Sequence, residues 1–230
     1  MKKLIPLYIV TFVVAFCSLM YELILGQTLS AFLGNTVLRY SVTIGLYMMA
    51  MGFGAMFAEG KFTEKSKESF MKIELALTVF GGFVVVIFFY LSYWIGAEVL
   101  FSFIVHSLII VIGVLTGFEI PLLIEMMKDS SSKAEVQVLG VDYLGAFVAS
   151  LVFAFLFYPK LGLVSAAFIT GIFNALAGLL VFFKVKAKND KRITMRKIAY
   201  FQGALVLILL FFLLNSDTIN KCLIESYLNK

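Results

Sequence analysis

Apolar stretches of about 17 to 25 residues recur along this chain, each long enough to carry a helix across roughly 30 Å of hydrocarbon. A helix keeps its backbone hydrogen bonds internal, as crossing lipid requires. Composition agrees: 62% of residues are hydrophobic and 14% charged, outside the range of soluble globular domains. The pattern predicts an all-α, polytopic integral membrane helix bundle of about seven transmembrane helices, near residues 4–26, 37–59, 72–92, 98–126, 137–158, 162–184 and 197–214. These form one transmembrane domain over residues 1–214, followed by a short C-terminal tail over 215–230. The longest intervening segments, near 60–71 and 185–196, are too short for a soluble domain of about 50 residues or more.

Lys and Arg set the orientation, because basic short loops stay on the cytoplasmic side. With the N-terminus inside, all of the 19 basic residues except Arg39, Lys160, Lys221 and Lys230 fall on the cytoplasmic side, including the cluster from Lys184 to Lys197. A multi-pass protein of the cell membrane is expected, N-terminus cytoplasmic and C-terminus outside, with membrane lipids as its surroundings. Tyr90, Tyr93 and Trp94 suit an outer interfacial belt. The net charge of +5 is explained by topology, so no nucleic-acid partner is expected.

Three carboxylates lie inside the apolar runs: Glu22, Glu119 and Asp142. An ionisable group near the bilayer centre costs on the order of 3 kcal/mol on insertion scales, and such groups mark ligand, ion or proton sites. Helical rise places Glu119 about 10 Å and Asp142 about 7 to 8 Å above the inner boundary, and Glu22 about 6 Å below the outer one. Glu119 and Asp142 are therefore expected to share a layer, with Glu22 about 14 Å away and paired to Arg39. Two carboxylates without a cation either share a proton or await a positive ligand. Tyr143, Asn174 and Tyr47 are candidate hydrogen-bonding wall residues of that substrate-binding site. Pro121 in Gly117-Phe118-Glu119-Ile120-Pro121 removes a backbone donor, so a kink freeing the carbonyl near Gly117 is expected beside Glu119.

Other signals point away from chemistry. The lone His106 has no Cys, Asp or second His at ligand spacing and is expected to be buried, neutral and bonded to a neighbouring helix; no metal and no cofactor are expected. Cys17 and Cys222 are read as free thiols. No small-residue cleavage pattern follows the first apolar run, so that helix is expected to be retained. No nucleophile or acid–base pair marks a catalytic centre. Small residues recur every fourth position at Ala50, Gly54 and Ala58, at Ala146, Ser150 and Ala154, and at Ala167, Gly171 and Ala175. Such faces allow close helix approach in lipid, and they predict that these three helices form the inner bundle. An acid late in the first run and again late in the fourth hints at a 3+3 inverted repeat plus one appended helix.

Several segments together resemble a known family: Tyr21-Glu22-Leu23-Ile24-Leu25-Gly26, Leu33-Gly34-Asn35, the run Gly45 to Gly54, Gly117-Phe118-Glu119-Ile120-Pro121-Leu122-Leu123 and Asp142-Tyr143-Leu144-Gly145-Ala146. In this order they are similar to the membrane region of spermidine synthase-like (polyamine aminopropyltransferase) proteins. The resemblance implies an association with polyamine metabolism and a fused or separate aminopropyltransferase as partner. That family's soluble catalytic domain needs a glycine-rich strand-to-helix turn that this sequence lacks, so no synthase activity is expected from the chain alone. Taken with the acids, these features lead to the expectation of a membrane protein that binds or transports a polyamine or other cationic amine through Glu119, Asp142 and Glu22. The alternative is a noncatalytic anchor or assembly partner of a polyamine synthase.

Overall fold

A computed structural model describes residues 4–128, 130–185 and 192–228. All regular structure among them is helical: α1 (Ile5–Leu33), α2 (Thr36–Phe57), α3 (Lys61–Glu64), α4 (Ser66–Phe80), α5 (Val84–Trp94), α6 (Glu98–Gly117), α7 (Glu119–Lys128) and α8 (Ala134–Val152). A π-helical segment (Phe153–Leu161) then leads to α9 (Gly162–Lys184), α10 (Arg192–Leu214) and α11 (Ser216–Leu228). The basic residues Lys2, Lys3, Lys186, Lys188, Lys191 and Lys230, counted in the orientation above, lie outside the described residues.

Among the described residues five helical runs are long and apolar enough to cross a membrane, or six if the α4–α5 pair, bent by 47°, is taken as one. The difference from the expected seven has a local cause. Residues 137–158 and 162–184 are joined into one helical run, Ala134–Lys184, because the helix widens to π geometry and continues through Pro159 rather than stopping. The run nevertheless turns back at Gly162, whose φ of 75° favours glycine. Its two halves return along α1: Gln27 donates to the Tyr158 hydroxyl at 2.7 Å, and the Cys17 thiol meets the Thr170 carbonyl at 3.6 Å. The tail expected beyond residue 214 contains a helix of its own, α11.

Helix α1 lies inside the bundle: 61% of its most apolar stretch is buried, the same share as for the α8–α9 run, against 22% for α2 and for α10. Of the expected inner trio, this removes α2. Helix α2 uses its small face against a single neighbour, α6, where Gly54 abuts the Val114 carbonyl, Gly113 abuts Ala50, and Gly117 abuts the Met51 carbonyl. Its other side leaves Met48, Met49, Phe53, Met56 and Phe57 exposed. The Ala167, Gly171 and Ala175 face of α9 is buried as expected, with Gly171 against Gly82. On α8 the face is displaced by one residue. Gly145 and Ala149 are buried, Gly145 against the Phe12 carbonyl and Ala15 of α1, while Ala146 and Ser150 are half-buried and Ala154 is exposed.

A helix junction and a buried lysine position the interior polar groups. At Phe118 the fourth apolar run interrupts between α6 and α7; Pro121 has no N–H for the Gly117 carbonyl, as the sequence predicts. The first run shows no matching break at its acid, since α1 is continuous through Glu22. Two turns before Glu74 on α4, Lys67 is buried and donates to carbonyls at the C-terminal end of α9, Phe182 at 3.0 Å and Val185 at 2.6 Å, with its ammonium 5.5 Å from the Phe182 ring centre. A cation there complements the negative end of the helix dipole.

Candidate functional site: a buried carboxyl pair

Glu119 opens α7 directly after the junction and is buried. Its principal carboxyl neighbour is Glu74, on the buried face of α4, with Asp142 a weaker third. Glu74 is wholly inaccessible. The two carboxyls are within electrostatic reach of one another on the packed helices α4 and α7, and neither Glu74 oxygen nor Glu119 Oε1 has a hydrogen-bond partner. The two ion pairs among the described residues, Lys72 with Glu68 at 2.7 Å and Lys128 with Glu125 at 3.0 Å, involve neither of them.

Around the pair stand Cys17 and Tyr21 from α1 and Tyr47 from α2, all buried and within electrostatic reach of Glu119. Their hydroxyls are committed to backbone. Tyr21 donates to the Leu77 carbonyl at 3.3 Å and Tyr47 to the Ser18 carbonyl at 3.0 Å, so both pin α1 to its neighbours. Tyr47 lies beside the pair, with its hydroxyl proton already used by the Ser18 carbonyl.

The remaining sequence-selected residues disperse. Asp142 is half-buried on α8 and is not the closest partner of Glu119. Tyr143 is 72% exposed and stands on the outside of the bundle, so it is not a wall residue. Asn174 is wholly buried, and neither its Oδ1 nor its Nδ2 has a hydrogen-bond partner. Glu22 makes no ion pair with Arg39, whose Nε is itself unpartnered. The cause is helix length: α1 runs on to Leu33, about 16 Å beyond Glu22, whereas Arg39 sits in the first turn of α2. Glu22 is therefore deeper than expected, close enough for Tyr47 to feel both it and Glu119.

Glu74 is the residue that sequence reasoning missed. The apolar stretch begins near residue 72, which puts Glu74 at its edge, but the helix starts at Ser66 and carries the carboxyl two turns inward. Its signal was the four-residue spacing Phe70, Glu74, Thr78, which places the acid on the same stripe as buried residues. His106 is corrected as well. It is half-buried and bonds within its own helix, Nδ1 lying 2.6 Å from the Ser102 carbonyl. Among the described residues no group of three or more His, Cys, Asp or Glu is placed to hold a metal.

Comparison with known proteins adds what geometry alone does not. A protein of Leptospira interrogans named polyamine aminopropyltransferase is 38% identical over 207 residues, covering 89% of this chain and 40% of the relative. Polyamine aminopropyltransferase 2 of Ralstonia nicotianae is 36% identical over 79% of this chain and 36% of its own, and the Oceanobacillus iheyensis polyamine aminopropyltransferase 32% identical over 87% and 39%. No family model matches, and no solved structure shows significant similarity. The relatives are named as enzymes, not as carriers, which overturns the expectation of a protein that binds or transports a cationic amine through intramembrane carboxylates. A noncatalytic anchor gains no better support from those names. Across most of its residues the chain is homologous to proteins named polyamine aminopropyltransferase, and it spans about 40% or less of the length of these three relatives.

Proposed function

We propose that this chain is the membrane-embedded helical region of an enzyme of polyamine aminopropyl transfer, seated in the cell membrane with its N-terminus in the cytoplasm. The observation that carries the reading is the 38% identity over 89% of the chain to a protein named for that reaction. The long apolar helices support the location, and the reversal at Gly162 supports seven crossings once the bent α4–α5 pair counts as one. The aminopropyl acceptor is then a polyamine or diamine. The reaction belongs to the protein as a whole.

The test is an assay of membranes from cells that express the protein, supplied with putrescine and a labelled aminopropyl donor. The reading expects label in spermidine at a rate above that of membranes lacking the protein. An identical rate in both preparations overturns it.

A further inference from the structure

We propose that Glu74 and Glu119 are a proton-binding site, one carboxylic acid and one carboxylate sharing a single proton at the α6–α7 junction. The inference does not rest on the enzymatic reading above. Two independent features meet here. One is the α6–α7 junction, where Phe118 keeps helical backbone angles but the proline at residue 121 leaves the Gly117 carbonyl, two residues before Glu119, without its usual donor. The other is Glu74, fully buried on α4, which packs against α7, and lacking a hydrogen-bond partner on either oxygen.

Two adjacent carboxyls away from water cannot both stay ionised unless a cation compensates, because each opposes the charge of the other and neither is solvated. No basic side chain supplies that cation among the described residues. Lys67 points to the end of α9, and Lys72 is held by Glu68. The groups that face the pair from packed elements are Cys17 and Tyr21 on α1, Tyr47 on α2 and, more weakly, Asp142 on α8, none of which is a cation. A proton is the occupant that suits this arrangement. Among the described residues no group of three or more His, Cys, Asp or Glu completes a shell for a metal ion. A shared proton supplies one strong hydrogen bond between the oxygens that otherwise have none.

Infrared spectroscopy of the purified protein at neutral pH tests this directly. Wild type is expected to show a protonated-carboxyl stretching band that shifts on transfer to heavy water. The band should persist in the Glu22→Gln and Asp142→Asn variants, move in Glu74→Gln or Glu119→Gln, and vanish in the double variant. Absence of the band from wild type overturns the proposal without recourse to any variant. So does a band that survives the double substitution, or one that appears only after sodium is removed, since the latter assigns the pair to a metal cation.

Discussion

A side chain that is buried without partners is a clear target for a residue-scale test, and Asn174 is one. Its amide is wholly enclosed with neither polar atom bonded. Replacing such a group by an apolar side chain of similar size removes an unsatisfied donor and acceptor, so Asn174→Leu should raise thermal stability by on the order of 1 kcal/mol. A fall in the melting temperature would show that Asn174 has a partner in the membrane. Lys67 gives the opposite sign. Lys67→Met deletes two carbonyl contacts at the end of α9 and should destabilise by roughly 1 to 3 kcal/mol in chemical or thermal melts. At this scale the sequence is informative about identity and poor at pairing. Glu119 stands out in any apolar run, but its partner Glu74 hides at the edge of one, because Lys65, Lys67, Glu68 and Lys72 lower the local hydropathy while the helix itself begins earlier. Asp142 was the expected partner only because span ends were used to judge depth.

At the scale of helices, the α2–α6 seam depends on the absence of side chains. A methyl group on Gly54 would meet the Val114 carbonyl, and one on Gly117 the Met51 carbonyl, both backbone atoms that cannot move aside cheaply. Gly54→Ala and Gly117→Ala should each destabilise by about 1 to 3 kcal/mol through overpacking. Gly52→Ala, two residues from Gly54 on the same helix, has nothing within 4 Å of the added carbon and should be neutral or slightly stabilising. Equal effects of Gly52→Ala and Gly54→Ala in a melting series would refute this seam. The Ala50 and Gly54 stripe and the Ala167, Gly171 and Ala175 stripe were legible from spacing alone. The α8 stripe was not, since Gly145 and Ala149 run beside Ala146 and Ser150, and composition does not say which of two adjacent small faces meets α1. The continuity from α8 into α9 escaped for a similar reason: Pro159 reads as a stop, whereas the π-helical turn absorbs it.

For the whole molecule, hydropathy made the helical class legible and basic residues suggested a direction of insertion, but neither showed which helices lie inside. Helix α1 is central because both α8 and α9 fold back along it, a tertiary consequence of the turn at Gly162. The proposed topology places the exposed Cys222 outside the cell. A membrane-impermeant thiol reagent should therefore label it in intact cells, with the buried Cys17 silent, and protection of Cys222 until the cells are opened would contradict the orientation. The account as a whole stands on a bilayer-embedded region belonging to an aminopropyl-transfer enzyme. Its most direct test is the aminopropyl-transfer rate in membranes washed at alkaline pH, which strips peripheral proteins and leaves integral ones. Activity that depends on this protein and stays with the washed pellet is the predicted result; activity released into the wash, or none attributable to the protein, would contradict it.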